Sequence, residues 1–456
     1  MPSKTVIYRL VTSLLWALAL WHSWTCRGLF VDGSAFVVEI VRRDWFFDFY
    51  DPRLYAMILG QIPVIIAVKL GVTDLQWLAR LLSLGLFGLP TIFYHAALHR
   101  ARNDGVLMGA VLAAIAIVFF TTSFFIVGEY NTIYGIAVMV AVRLATAERL
   151  TLQDGIVLAL TGILAIRTYE AAVHLGPLLA AMVCWRLWVL RDRQPLRLEA
   201  LVTGVLYLVA AGGFLAGCVV AYNSIVYPFS ESHLDESINQ IHFFWQNMQF
   251  MLSMVAALTL GIWALLKPAD LLQAKPYLWA GVWIVLLALS PLLAVGENLV
   301  RPLAKSQYVA RALSGGVIAG IVVSIWLYAS RFGHTLAVMK MLRMPEVGRR
   351  FLAFTGVLFL GLFPSDLYLT VTWSGYLNAF IATVRSNSGI VAFEDTPLST
   401  RPHSLLVENW TLPSASLVLR SKEGDGIVVP PRDFTDWQPF KAAEWYPDLG
   451  RFFWRK

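Results

Sequence analysis

Apolar residues run through this chain in blocks of about 17 to 25, the length an α-helix needs to cross the hydrocarbon of a bilayer. The blocks lie at 6–25, 77–98, 106–127, 131–147, 153–169, 171–190, 199–221, 243–266, 276–295, 308–330 and 351–370. Charged residues collect in the short intervals between them. The pattern predicts an all-α polytopic membrane protein with about 11 transmembrane helices.

One run, 55–71, breaks the pattern. It is short, contains Gly60 and Pro63, and ends near Lys69. Counted as a full span, it would place His99, Arg100 and Arg102 on the side opposite Lys4 and Arg9, against the bias of basic residues toward cytoplasmic loops. It therefore reads as a short interfacial or re-entrant helix, a geometry that needs protein around its backbone. With this segment set aside, Lys4, Arg9, Arg100, Arg102, Arg149, Arg191, Arg193, Lys267, Lys275, Arg331, Arg343, Arg349 and Arg350 share the cytoplasmic side. The 26–54 loop, the turns at 128–131 and 167–174, the loops at 222–242 and 296–307, and the chain from about 371 face outward. Two regions follow: a transmembrane domain over 1–370 and an extracytoplasmic region over 371–456. In the second, 404–407, 416–419 and 427–429 look like short strands between turn residues, giving a small β-containing appendage.

Composition agrees with this class. Apolar residues make up 58% and charged residues 14% of the 456 positions, against about 25% charged in soluble domains. The net charge of +7 comes from basic clusters beside the spans, so no nucleic-acid partner is expected. Cys26, Cys184 and Cys218 are far apart, which argues against a disulfide framework or a cysteine metal site. The first apolar run has no small-residue cleavage site and reads as a retained span. Phosphate-loop, zinc-protease and dinucleotide-binding motifs are absent.

Any chemistry must then come from charges at the outer face. Asp32 precedes a helix whose apolar residues Phe36, Val37, Val38, Ile40 and Val41 occupy one arc, with Glu39, Arg42 and Arg43 on the other. This reads as an interfacial helix on the bilayer. Asp32 is either its N-cap or a carboxylate base at the mouth of a cavity. Glu129 sits between two apolar runs with almost no loop, where an ionised carboxylate is costly unless it faces a cavity or a partner. A third group is the turn containing Arg167, Tyr169, Glu170 and His174, whose i, i+3 and i, i+4 spacings also suit a local salt bridge. Arg301, Lys305 and Arg311 add outward cations, against the positive-inside trend. Carboxylates beside cations at an outward cavity suit sugar transfer from a lipid phosphate: cations hold the leaving phosphate while a carboxylate deprotonates the incoming hydroxyl.

These features resemble the GT-C superfamily of polyprenyl-phosphate-sugar-dependent glycosyltransferases, which includes protein O-mannosyltransferases and lipid A aminoarabinose transferases. The resemblance rests on Asp32 in the first outer loop before an interfacial helix, on Asp51-Pro52-Arg53-Leu54-Tyr55 leading an apolar helix, and on the 78–88 stretch opening the next span. It covers roughly residues 10 to 190. It implies a GT-C-like fold in a bacterial inner membrane, with the N-terminus cytoplasmic and the C-terminus periplasmic. Asp32 is the implied base and Glu129 the second acidic residue. Arg53, Arg167, Arg301, Lys305 and Arg311 form the pool of donor-phosphate ligands, with Tyr130, Tyr169, Glu170 and His174 around the acceptor or lining the cavity. The expected partners are a polyprenyl-phosphate-linked sugar, the lipid bilayer, and a glycan, glycolipid or protein acceptor. No cofactor is required, and a divalent metal is compatible. The chain departs from the family pattern in having Gly33 directly after Asp32 and Asp51-Pro52-Arg53 where many members have His-Pro-Pro. The alternatives are a polysaccharide polymerase or ligase using a polyprenyl-diphosphate donor, and a lipid flippase or transporter.

Overall fold

A computed structural model describes residues 3–124, 128–191, 198–227, 242–266, 276–293, 307, 310–330, 332–400, 403–431 and 449–455. A helix runs through the described part of each of the eleven apolar blocks. In chain order the main helices are α1 (Lys4–Trp24), α2 (Asp32–Arg43), α3 (Leu54–Lys69), α4 (Leu75–Ala101), α5 (Gly105–Thr122), α6 (Glu129–Thr146), α7 (Leu152–Ala165), α8 (Ala172–Arg191), α9 (Leu198–Val226), α10 (Met248–Leu266), α11 (Pro276–Ala288), α12 (Arg311–Ala329), α13 (Pro345–Ser386) and α14 (Leu412–Leu419). Among the described residues, seven helices are long and apolar enough to cross a membrane: α1, Asp51–Lys69, α4, α5, α8, α9 and α13.

The centre of the bundle is α6. Its residues are buried on every face from Glu129 to Leu144, as expected of a helix with no polar stripe. Small side chains let its neighbours approach. A methyl group added at Gly135 would lie 3.0 Å from the Cβ of Phe93 on α4. α1 and α4 run antiparallel. Lys4 Nζ donates to the Asn103 carbonyl at one end, and Ser23 Oγ to the Arg80 carbonyl at the other.

Between α1 and α4 the chain makes an excursion that returns to its starting end. From Asp44, held by Lys69 at the far end of α3 (2.7 Å), the irregular stretch 45–50 runs back alongside α3. Gln61 on α3 acts as a clamp, accepting from the Phe47 amide and donating to the Phe47 carbonyl, both at 2.8 Å. The chain then reverses at Asp51–Arg53 and climbs as α3. The expected short helix at 55–71 is thus a continuous helix despite Pro63, and it lies antiparallel to α4. The two backbones are so close that a Cβ on Gly85 would fall 1.9 Å from the Gly60 carbonyl oxygen, the kind of contact that small residues permit between membrane helices.

Three expectations change. The apolar face of α2 does not lie open to lipid. Phe36, Val37 and Ile40 are buried, and α14 and α4 pack against the helix. An apolar arc in sequence says that a face is covered, not by what. The last apolar block, expected over 351–370, continues to Ser386. Its extension is amphipathic: Trp373, Tyr376, Leu377, Phe380 and Val384 are buried at helical spacing, while Thr370, Ser374 and Thr383 return their hydroxyls to carbonyls four residues back. In the C-terminal region only Ile427–Val429 of the three expected strands is a strand, pairing in parallel with Ile390–Ala392. The 404–407 run falls mostly in a 3₁₀ turn, His403–Leu406, and 416–419 in α14. Four apolar residues are too few to tell strand from helix, and Pro413 favours a helix start. The end of the chain also packs back on the bundle: Leu75 N donates to the Phe453 carbonyl (3.0 Å), and Arg455 N to Asp74.

A fully buried polar group ties α13 to the turn after α1. Arg27 Nη1 lies 3.0 Å from both oxygens of Asp366 and 2.7 Å from Thr370 Oγ1. Ser123 Oγ donates to Asp366 Oδ1 at 2.8 Å, and His22 Nε2 lies 2.7 Å from Asp366 Oδ2. Phe124 covers the guanidinium at 4.6 Å. Removing one partner of such a pair strands the other charge. Asp366→Ala is therefore expected to cost about 3–5 kcal/mol, seen as a lower unfolding midpoint in detergent. The double variant Arg27→Met, Asp366→Leu should recover most of that loss.

Candidate active site

The returning turn at 50–55 docks against the turn after α7. Tyr55 N donates to the Arg167 carbonyl (2.9 Å), and Arg167 Nη1 donates to Asp51 (2.6 Å). Arg53, at the head of α3, bridges two carboxylates. Its Nη2 and Nε bind Glu170 at 2.8 and 3.0 Å, and its Nη1 reaches Glu129 at 3.3 Å. The guanidinium lies over the rings of Tyr50 and Tyr169, at 5.0 and 4.8 Å. The fork geometry of arginine suits this bidentate arrangement.

Glu129 opens α6 directly after Gly128, whose φ of 86° puts it in the left-handed region. A Cβ there would also meet the Leu86 carbonyl at 2.5 Å, so the site requires glycine on both counts. Glu129 is only 5% exposed. It stands outside the seven candidate spans. Burial pushes its carboxyl up to about 7; Arg53 opposes the rise, and the charges of Asp32 and Glu170 add to it. Asp32 is therefore within electrostatic reach of Glu129, and Arg311 acts on the same carboxyl in the opposite sense.

Asp32 occupies the first turn of α2, where a carboxylate suits the helix dipole. It is not the N-cap. That position is Val31, which makes no side-chain cap bond and has φ 57° and ψ −121°. A β-branched residue in this region is strained, and such strain clusters at functional sites.

Tyr130 is buried, donates its hydroxyl to the Thr122 carbonyl, and packs near Tyr169 with ring centroids 5.6 Å apart. Arg311 lies 6.0 Å from the Tyr130 ring, and its carbonyl accepts from Tyr134 at 2.8 Å. The structure thus groups Arg53, Glu129, Tyr130, Tyr169, Glu170 and Arg311, with Arg167 adjoining through Asp51 and Asp32 acting on Glu129 through its charge. Arg301 and Lys305 lie outside the described residues. The His174 ring is set against Gly315 on α12, one turn from Arg311. The local salt bridge within the 167–174 turn does not form, because Arg167 and Glu170 find partners more than a hundred residues away. No three His, Cys, Asp or Glu side chains among the described residues converge as metal ligands.

The buried group around Arg27 and Asp366 escaped the sequence reading. Its signal was a carboxylate inside the apolar block 351–370, a functional pointer in its own right. Gln249 and Gln307 escaped as well; they join each other at 3.0 Å, and Gln307 accepts from the Phe124 amide at 2.7 Å.

No protein-family model, curated protein or solved structure matches the chain.

The raised carboxyl of Glu129 has a stability consequence with a definite sign. Between pH 4.5, its ordinary value, and about 7, the folded state holds a proton that the unfolded state has lost, so stability falls as pH rises through this window. Over the window the loss amounts to roughly 3 kcal/mol. Unfolding midpoints of wild type in detergent should decline from pH 4.5 to 7 more steeply than those of Glu129→Gln. Parallel curves for the two proteins would show that the carboxyl is not raised.

Proposed function

We propose that the protein is an integral membrane glycosyltransferase of GT-C type, moving one sugar from a polyprenyl-phosphate carrier to a hydroxyl of a glycan, glycolipid or protein at the outer membrane face. The observation that supports it best is geometric: Arg53 bridges two buried or half-buried carboxylates from separate elements, Glu129 at the head of α6 and Glu170 in the turn after α7. Asp32, held behind a strained residue, takes the proton of the acceptor hydroxyl. The acceptor oxygen bonds to the anomeric carbon with inversion as the carbon–oxygen bond to the carrier breaks, and the polyprenyl phosphate leaves with the electron pair. Glu129, with its carboxyl near neutrality, positions the acceptor by hydrogen bonding. Arg53, Arg167 and Arg311 are the described candidates for the leaving phosphate. Arg53 and Arg167 already hold carboxylates, so they orient Glu170, Glu129 and Asp51 first and reach phosphate only by exchange. The cations supply the charge stabilisation that a metal would otherwise provide.

The reading is tested by native mass spectrometry of the detergent-purified protein, comparing wild type with Asp32→Asn. A polyprenyl phosphate should co-purify, and the sugar-loaded form should accumulate on Asp32→Asn. With the donor so identified, turnover of Asp32→Asn should fall by about 10²- to 10⁴-fold while donor binding is kept. Absence of any polyprenyl lipid from both proteins, with a small solute bound instead, would replace the transferase by a transporter.

A further inference from the structure

At the end of the bundle marked by Lys4 and Arg100, remote from Asp32 and Glu129, lies a cavity of about 950 Å³ between α1, α4, α6, α8 and α12. Its charge is unbalanced. Arg100, Arg102, Arg143 and Arg186 line it against Asp104 and Glu148. Asp104 is already engaged, capping α5 through the amides of Val106 and Leu107 and accepting from Tyr328.

Arg100 and Arg143 compete for one partner. Both donate to the same oxygen of Asp154, which is buried and serves as well in the N-terminal turn of α7. One negative charge thus answers two positive ones, and Arg143, itself 9% exposed, has a buried Nε with no acceptor. Two guanidiniums that share one carboxylate leave net positive charge on the cavity wall, which attracts an anion. Arginine forks match the oxygens of phosphate. One wall of the cavity is apolar, formed by Trp16 and by Ile92, which is half exposed on the outside of α4.

We infer that this cavity binds an anionic phosphate group, with the phosphate between the arginines and the apolar remainder of the ligand along Trp16 and Ile92. A phospholipid headgroup and a soluble phosphate ester share this chemistry. Basic pockets between membrane helices recognise such headgroups.

The test uses the full-length protein, delipidated in detergent, with added phosphatidylglycerol or phosphatidylcholine and native mass spectrometry as the readout. A competition arm adds inorganic phosphate. The variant Arg102→Gln, Arg186→Gln leaves both partners of Asp154 in place; its unfolding midpoint is measured alongside, and Arg102→Gln alone substitutes if the pair does not fold. Phosphatidylglycerol should be retained over phosphatidylcholine by at least about tenfold, and the variant should lose that preference. Displacement by inorganic phosphate would assign the site to soluble phosphate esters, and resistance to it would assign it to the lipid. Equal retention of the two lipids with no binding of phosphate, or a variant that retains phosphatidylglycerol like wild type, would overturn the inference. None of these readouts depends on sugar transfer.

Discussion

The pairing of Arg27 with Asp366 is the constraint on which the rest of the structure turns. Both side chains are wholly removed from solvent, and they join residues 339 positions apart. Two buried charges with imperfect geometry are a net cost. Here Ser123, Thr370 and His22 meet further donors and acceptors while Arg27 Nε and His22 Nδ1 stay without a partner among the described residues, and Phe124 shields one face of the guanidinium. The pair therefore acts through specificity: only one placement of the turn at 26–31 satisfies it, and that turn carries Asp32.

From this anchor the candidate site assembles by successive docking. Cys26 and Val31 both take positive φ, bending the chain sharply on either side of Arg27. Gly28 N donates to Ser83 Oγ on α4 at 2.9 Å, fixing α2 against the bundle. The Gln61 clamp brings the 45–50 stretch back, so that Arg53 arrives between Glu129 and Glu170. Each step is held by a polar contact, local in the case of Gln61 with Phe47 and distant in sequence for Gly28 with Ser83 and Arg53 with Glu129 and Glu170.

That dependence explains what could be read from the sequence. The helical blocks were legible because hydrophobic length is a local property, and Asp32, Glu129 and Glu170 were legible because charges next to hydrocarbon demand a reason, whereas Arg53 came only through the family resemblance. The partners were not. Nothing near Arg167 announces Asp51, and helical spacing pointed instead to Glu170. The apolar arc of α2 gave its buried face correctly but could not tell lipid from α14, which lies almost four hundred residues later. The α13 extension was hidden for a different reason: Thr370, Ser374 and Asn378 lower its mean hydropathy while leaving its helical period intact.

The excursion between α1 and α4 has a meaning for how the protein is made. Because 45–50 runs one way and α3 the other, the 26–74 segment leaves and rejoins the bundle at the same end. The helix that carries Arg53 at its head is therefore seated by contacts from both sides of the chain, from 45–50 before it and from α4 after it. The region bearing Arg53 is in this sense a late-fitting part, whose seat on Glu129 and Glu170 exists only once α6 and the turn after α7 have formed.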